Sequence, residues 1–493
     1  MKYIKPWKQG KLRVSENGRY LRNGEQPFFY LGDTAWLLCP VCDEEEAKLY
    51  LTNRRDKGFN VIQTVLIHRL PEMPATNPAE VEKDPTDPAY WSFVDRVMDI
   101  AEELGLYMAL LPAWGHVVKE GYISEENIDR YVTFLANRYG SRPNVIWLLG
   151  GDIRGDQQHD LYCREGRLFK QLNPDKLVCY HPFGRTSSSL WFHDEPWLDF
   201  NMFQSGHRRY DQVTLGAWDD NRLDAETYFG EDNWRYVDRD YAMTPVKPTL
   251  DGEPSYEQIL QGLHDLSQPY WREWDVRRYA YWSVFQGSMG HTYGDNSIQQ
   301  FFHTPTIPGS FGVRYTWQDS LHHVGSEQMG ILKDLMESVD YQSGHEATAL
   351  LLSPQGKKYR RISVFAGNDF LFAYTYLGEA FTLSLTPYAG RRLTVSWFNP
   401  VSGRESFLMD ATGCCFKSRL IQICSILCSL LSISSSTAWD FDVYLASPLK
   451  SAFVVPAITF SQSAPIRISS TFRFSNCFSY SFLIIHQPNL PVI

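Results

Sequence analysis

The stretch Val145-Ile-Trp-Leu-Leu-Gly-Gly-Asp152 decides the fold. Five apolar residues, among them β-branched and aromatic side chains, end abruptly in two glycines and a carboxylate. Such a run is typical of a buried parallel strand, and here it delivers an acid at the carboxyl end of that strand. Further along the chain, Lys247-Pro-Thr-Leu-Asp-Gly-Glu253 repeats the arrangement with a glutamate. The sequence therefore predicts two strands that bring two carboxylates to one edge of a sheet.

Units of helix, glycine and strand recur before Asp152, which indicates a parallel sheet covered by helices. Acidic residues at a helix start and glycine at its end are the expected signals, because they suit the helix dipole and the left-handed cap. The predicted helices begin at Asp43, at Asp87-Pro88 and at Ser124, and they end at Gly58, Gly105 and Gly140. They lead into the strands Asn60–Ile67, Leu106–Leu111 and Val145–Leu149.

The remaining core strands complete a set of eight. They are predicted at Pro27–Trp36, Lys176–His181, Leu198–Gln204, Pro248–Glu253 and Arg277–Phe285. Eight βα units predict an α/β fold, a (β/α)8 TIM barrel over residues 1–345, preceded by a β-hairpin cap with turns at Asn17-Gly18 and Asn23-Gly24. A doubly wound sheet would show a glycine-rich phosphate turn after its first strand, where this chain has Gly32-Asp-Thr-Ala-Trp36.

The pattern changes to a period of two from about residue 348, which predicts a small antiparallel β-sandwich domain over residues 346–413. Its predicted strands are Ala349–Leu352, Arg361–Phe365, Phe370–Tyr376, Phe381–Leu385 and Leu393–Phe398. A last strand is not evident after Gly413, so the domain is expected to be incomplete. Residues 414–493 are rich in Ser, Ile, Phe and Cys without a clear period. We expect an atypical, disordered tail there.

Composition limits the possible partners. The net charge of −10 and the absence of a basic stretch argue against nucleic acid. No apolar run before residue 420 is long enough for a bilayer, so we expect no membrane association; a membrane anchor in the tail after residue 413 is the alternative to disorder there. The first ten residues have no apolar core typical of a signal peptide, which predicts a cytoplasmic protein, with secretion as the alternative. Cys39 and Cys42 form a C-x-x-C without a second half-site, which favours ordinary thiols over a redox or zinc site.

Two carboxyl groups at strand ends of a barrel are the catalytic groups that hydrolysis of a glycosidic bond requires. One acid protonates the leaving oxygen, and the second carboxylate either attacks the sugar, with retention of configuration, or activates water, with inversion. In a barrel the catalytic groups come from the carboxyl ends of the strands. We therefore predict Asp152 as the acid/base and Glu253 as the nucleophile, without a metal or a cofactor.

Other polar and aromatic side chains near the predicted strand ends are candidates for lining a sugar subsite. Aromatic rings stack on sugars, and polar groups bind hydroxyls, although each is also a common structural residue. These candidates are Asp33, Trp36, His68, Trp114, His116, His181, Gln204, His207, Asp251, Trp282 and Tyr293.

Four motifs together resemble the apiosidase-like glycoside hydrolases, family one hundred and forty. They are Leu31-Gly-Asp-Thr-Ala-Trp36, Lys57-Gly-Phe-Asn-Val-Ile-Gln63, Asn144–Asp152 and Asp251-Gly-Glu-Pro254. The resemblance covers about residues 8–413 and implies a TIM barrel followed by a β-sandwich labelled a collagen-binding domain. It places the family's catalytic aspartate and glutamate on Asp152 and Glu253. It also implies exo-acting removal of apiose-linked side chains from pectin.

Two other classes of function are weighed against the retaining glycosidase. A metal-dependent barrel hydrolase commonly has a His-x-His on its first strand, where this chain offers only Asp33. A non-catalytic carbohydrate-binding or scaffold barrel is the alternative that the atypical tail favours. An oligosaccharide or another glycoside is the expected ligand in both the enzyme and the binding protein.

Overall fold

The computed structural model describes residues 3–68, 88–212, 229–304 and 309–411, together with four later strands. The chain divides into two compact units, Met1–Glu337 and Ser338–Ile493. Most of the predicted tail over 414–493 lies outside the described residues.

The first unit alternates strands and helices. Its strands are β1 (Leu12–Val14), β2 (Leu21–Asn23), β3 (Gln26–Phe28), β4 (Tyr30–Thr34), β5 (Val61–Ile67), β6 (Tyr107–Ala113), β7 (Val145–Ile153), β8 (Val178–Pro182), β9 (Thr186–Ser187), β10 (Asn201–Gln204), β11 (Thr249–Asp251) and β12 (Gly290–Tyr293). Its helices are α1 (Leu38–Val41), α2 (Glu44–Asp56), α3 (Pro88–Leu104), α4 (Gly115–Lys119), α5 (Ile128–Tyr139), α6 (His159–Leu172), α7 (Ser189–Phe192), α8 (Trp234–Tyr241), α9 (Glu273–Val284), α10 (Asn296–Gln299), α11 (Trp317–Ser320) and α12 (Val324–Glu337). In the part of the chain that the structure describes, none of these helices has the length and apolar character needed to span a bilayer.

The core of this unit is the predicted (β/α)8 barrel. Strands β12-β4-β5-β6-β7-β8 form one parallel ladder, and β10 pairs in parallel with β11. Hydrogen bonds from Asp199 N to Val178 O (2.9 Å) and from Met289 N to Thr249 O (3.0 Å) connect the two groups of strands and close the ring. The predicted cap is also confirmed, because β1, β2 and β3 form an antiparallel sheet ahead of the barrel.

Local sequence explains where the first barrel helix begins and ends. Asp43 and Glu46 form a reciprocal capping box at the start of α2, which satisfies two otherwise unpaired backbone donors. Gly58 follows that helix with φ +90°, as predicted for a left-handed cap. The predicted start of α5 at Ser124 is wrong, because residues 125–127 form a turn and the helix begins at Ile128.

The prediction of a strand at Arg277–Phe285 is also wrong. This segment belongs to α9, and the eighth barrel strand is β12, which pairs with β4. Helix α9 is buried on nearly every side, so its apolar residues do not follow the stripe that marks a helix in a sequence. Arg278 is buried in this helix because its Nη1 atom pairs with Glu231 Oε2 at 2.7 Å.

The second unit is antiparallel, as predicted. Its strands are β13 (His345–Glu346), β14 (Ile362–Ala366), β15 (Phe370–Thr375), β16 (Phe381–Ser384), β17 (Leu393–Phe398), β18 (Glu405–Ala411), β19 (Leu420–Ile423), β20 (Leu431–Ser435), β21 (Phe441–Leu445) and β22 (Phe482–His486). One sheet has the order β13-β14-β15-β22-β17-β18, and β16 pairs with β19. The strand predicted at Ala349–Leu352 is wrong: Thr348–Leu350 forms a 3-10 turn, followed by one bridge from Leu351 to Leu383.

Strand β22 takes the place of the final strand that was not evident from the sequence. It pairs with β15 on one side and with β17 on the other. An apolar core of this unit includes Val364, Leu371 and Val395, together with Leu383 of β16. The strand that completes the centre of this sheet thus comes from the far end of the chain.

Candidate active site

The backbone bends sharply where β7 ends, and this bend presents Asp152. Gly150 and Gly151 have φ values of +91° and +94°, and Asp152 itself has φ +52°. The pairing with β8 shifts between Gly150 and Ile153, so two residues bulge out of the ladder. A Cβ on Gly150 would lie 2.3 Å from the carbonyl oxygen of His181. The glycines therefore allow close packing within the protein as well as the left-handed backbone.

Glu253 follows β11 and is held by the neighbouring strand end. Gly206 N donates to the carbonyl oxygen of Glu253 at 3.1 Å, which ties the loop after β10 to this position. From the same loop, Nε2 of His207 lies 3.0 Å from Oε1 of Glu253. The Nε2 atom of His181, on β8, lies 3.1 Å from the other carboxylate oxygen. Two imidazoles therefore flank one buried carboxylate.

The two carboxylates meet across the barrel mouth. One carboxylate oxygen of Asp152 lies within 4.8 Å of one of Glu253. Burial raises the pKa of Asp152 to about 6, and the negative charge of Glu253 contributes to the rise. Burial opposes the ionisation of Glu253 as well, but the imidazoles of His181 and His207 outweigh it and lower the pKa of Glu253 to about 2. The environments thus separate the pKa values of two adjacent acids.

A cavity of about 390 Å³ opens above this pair. Trp36 and Trp114 contact each other edge to face at 5.0 Å, and His68 lies 5.3 Å from Trp114. Of the residues predicted from sequence, the cavity is lined by Asp152, Glu253, Trp36, His68, Trp114, His116, Gln204 and His207. His181 lies next to them, buried with its ring 5.0 Å from that of Trp36.

Four other candidates take part in buried contacts away from the cavity lining. Asp33 accepts from Arg54 Nε at 2.5 Å and from Tyr50 at 2.6 Å, and Asp251 accepts from Ser205 Oγ at 2.7 Å and from Asn233 Nδ2 at 3.0 Å. Trp282 lies in α9 beside Arg278, and Tyr293 donates to Glu257 at 2.6 Å. Their positions along the sequence did not show which way the side chains point.

Several cavity residues were not predicted because they lie on loops. Tyr256 accepts a hydrogen bond from Trp36 Nε1 at 2.9 Å and contacts the ring of His207; its position three residues after Glu253 was an available signal. Arg208, directly after His207, was another. The unpredicted lining residues are Leu37, Glu120, Phe183, Gly184, Arg185, Gly206, Arg208, Tyr256, Ile259, Leu263, Gln299, Gln300, Ser310 and Phe311.

One group of side chains in the described part of the chain has the spacing of metal ligands. Asp152, His181 and Glu253 each offer one ligand atom, and these atoms lie within 4.8 Å of one another. Cys39 and Cys42 are buried free thiols, and burial raises the pKa of Cys39 to about 12. A buried thiol of this kind is a poor source of thiolate.

Comparison with known families decides the relationship of this chain. The family described as "Apiosidase-like, catalytic domain" matches residues 15–343. The chain belongs to the apiosidase-like family. A second family, "Putative collagen-binding domain of a collagenase", matches residues 347–413.

Solved structures support the same assignment for this apiosidase-like protein. One, titled "Glycoside hydrolase", is 34% identical, with 99% of each chain covered and a TM-score of 0.81. A glycoside hydrolase of family 5 from Bacteroides vulgatus is 33% identical, with 99% of this chain and 96% of that chain covered and a TM-score of 0.80. Comparison with curated proteins gives no match. The protein is a glycosidase, which acts on a carbohydrate substrate.

Proposed function

We propose that this protein is a retaining, exo-acting glycoside hydrolase that removes an apiose-linked side chain from pectic oligosaccharides. Glu253 is the nucleophile and Asp152 the acid/base. The observation that carries the proposal is the approach of the two carboxylates to within 4.8 Å at the barrel mouth. In retaining enzymes the carboxyl groups are about 5–5.5 Å apart, whereas inverting enzymes leave room for water with about 6.5–9.5 Å.

The different surroundings of the two acids support the assignment of roles. Glu253 stays ionised between two imidazoles, so it is ready to attack the anomeric carbon. Asp152 is partly exposed to the cavity, and its raised pKa favours the protonated form that a general acid needs. These surroundings favour an ionised Glu253 and a protonated Asp152, which are the states that the proposed steps require.

The reaction proceeds in two displacements. Glu253 attacks the anomeric carbon while Asp152 donates its proton to the glycosidic oxygen, and the rest of the oligosaccharide leaves as an alcohol. Asp152, now ionised, takes a proton from a water molecule that attacks the covalent glycosyl-enzyme. This step releases the sugar with its original configuration and restores both carboxyls.

The sugar and the pectic source rest on the resemblance to family one hundred and forty. A cavity of about 390 Å³ is in the range of small-ligand pockets, and its edge-to-face tryptophans offer apolar surface to a sugar ring. A terminal sugar at the end of a side chain suits such a pocket.

The test uses apiose-bearing pectic oligosaccharides and aryl glycosides, with the first-formed anomer followed by NMR. We expect release of the terminal sugar with retained configuration. The Asp152→Asn and Glu253→Gln variants should release far less sugar from the oligosaccharides. First formation of the opposite anomer contradicts the assignment of Glu253 as nucleophile. Release of a different sugar, with retention, changes the substrate and leaves the mechanism intact.

A further inference from the structure

The floor of the cavity brings imidazole and carboxylate ligand atoms together. His207 Nε2 lies 3.0 Å from Glu253 Oε1, and His181 Nε2 lies 3.1 Å from Glu253 Oε2. One oxygen of Asp152 joins the ligand atoms of His181 and Glu253 within 4.8 Å. Each of these groups also has a lone pair that can bind a metal ion.

His181 and Glu253 form a close, buried contact that does not meet the geometry of a hydrogen bond. Neither the Nε2 atom of His181 nor Oε2 of Glu253 makes a hydrogen bond with the described residues. Two ligands of one zinc ion, each about 2.0–2.2 Å from the metal at roughly tetrahedral angles, lie about 3–3.5 Å apart. The 3.1 Å separation fits this spacing, and a small rotation of Asp152 would bring its oxygen nearer.

We propose that Asp152, His181 and Glu253 form a reversible binding site for Zn²⁺, and that the bound ion inhibits the glycosidase. The inhibition rests on the proposed function, whereas the binding of the metal does not. A coordinated Asp152 has no proton to donate, and the lone pair of a coordinated Glu253 is occupied. The ion would therefore compete directly with the sugar.

The ligand set selects the kind of metal. Imidazole favours Zn²⁺, Co²⁺, Ni²⁺ and Cu²⁺, whereas Mg²⁺ and Ca²⁺ prefer sites built only from oxygen. Three protein ligands leave a fourth position open toward the cavity for water. The rings of Trp36 and Trp114 pack against His181, which limits its movement away from the site.

Spectroscopic titration with Co²⁺, used in place of Zn²⁺, tests binding without relying on activity. We expect one visible d–d band that saturates at one ion per chain, without the near-ultraviolet charge-transfer band of a thiolate ligand. The expected band disappears when Zn²⁺ is added, and Mg²⁺ has no effect on it. A thiolate band contradicts the proposal, and so does a band that saturates only at more than one Co²⁺ ion per chain.

The variants His181→Gln and Glu253→Gln should each weaken Co²⁺ binding by at least about 10-fold. The matched control is His159→Gln. His159 lies 3.8 Å from the thiol of Cys163 on α6, so this pair of side chains could bind a metal ion outside the proposed site. This control should bind Co²⁺ as the wild type does. Equal binding by His181→Gln and Glu253→Gln, both confirmed as folded by circular dichroism, overturns the site.

Inhibition is measured with the same samples. Zn²⁺ should raise the apparent KM for the glycoside without changing kcat, and a chelator should restore the original KM. Loss of activity on chelation, with recovery on adding Zn²⁺, overturns the inhibitory role. If Co²⁺ binds but no glycoside is cleaved, the proposed function is wrong and the metal site stands. If cleavage occurs with retention but Co²⁺ does not bind, only the metal site is wrong.

Discussion

The ends of β7 and β11 present their carboxylates in different ways. At the end of β7 the chain departs from the ladder through three residues with positive φ, and Asp152 reaches the cavity partly exposed. Glu253 is buried after β11 and is held by side chains from two neighbouring strand ends. Backbone geometry thus places one acid, and side-chain contacts define the charge of the other. The difference teaches that similar sequence signals, an apolar run followed by glycine and an acid, can shift the pKa values of the two acids in opposite directions.

Replacing each acid by its amide should have the largest effect on activity and should separate the roles of the two carboxyls. Glu253→Gln should lower kcat by at least about 10⁴-fold on every substrate, because it removes the proposed nucleophile. Asp152→Asn should lower the rate by about 10²–10⁴-fold on natural glycosides but much less on aryl glycosides, whose leaving group needs no proton. Steady-state kinetics on both substrate types measures this. Equal losses for both variants on aryl glycosides would refute the assigned roles.

His207→Gln tests whether side-chain contacts set the charge of Glu253. Losing a hydrogen bond to a charged group costs about 1.5–3 kcal/mol, which corresponds to about 10- to 100-fold in kcat/KM. Because His207 helps to lower the pKa of Glu253, the acid limb of the pH profile should move to higher pH. A variant with lower activity but an unmoved acid limb would show that His207 has only a structural role.

Gly151→Ala tests whether the backbone bend at the end of β7 positions Asp152. The added Cβ would lie 2.9 Å from the ring of Trp114, at φ +94°, so the bend and Asp152 should shift and kcat should fall roughly tenfold. Gly121→Ala is the matched control, since Gly121 has φ +81° but no atom within 4 Å of an added Cβ. Both variants should lose stability from backbone strain, and Gly151→Ala should lose more because of the contact with Trp114. Equal kcat values for the two variants would contradict the role of the bend.

The pH profile of the wild type follows from the two pKa values. The proposed mechanism requires a protonated Asp152 and an ionised Glu253, whose pKa values are about 6 and about 2. The rate should therefore be highest between these values and fall about tenfold per pH unit above pH 6, with apparent pKa values that belong to the pair. Measurement of kcat/KM from pH 3 to 9 checks this. An alkaline limb that persists unchanged in Asp152→Asn would belong to another group.

Glu165 on α6 offers a smaller effect, on stability alone. Burial raises its pKa to about 8, so the stability associated with its protonated form is complete below its unfolded pKa and is lost as pH rises toward 8. Glu165→Gln should leave Tm unchanged near pH 4 and raise it near pH 8. Thermal unfolding at both values measures the difference, and an equal Tm change at the two pH values would exclude a linkage to ionisation.

The sequence by itself determined the elements whose signals are local. Apolar runs such as Val145–Leu149, acids at helix starts such as Asp43 and glycines such as Gly58 and Gly105 each depend only on near neighbours, and the structure has strands, a capped helix and left-handed caps at these places. The barrel and its two strand-end carboxylates followed from repeating these signals. The family resemblance rests on the same stretches.

Only the tertiary structure decided what each side chain meets. Nothing local shows that Asp33 turns to a buried arginine, while His181 and His207 turn to Glu253. The segment around Trp282 is a helix because it is buried on nearly every side, so the packing around it overrides the pattern in its sequence. Direction, burial and charge at the site depend on residues far apart in the chain, since the free energy of a buried carboxyl is determined by its spatial neighbours.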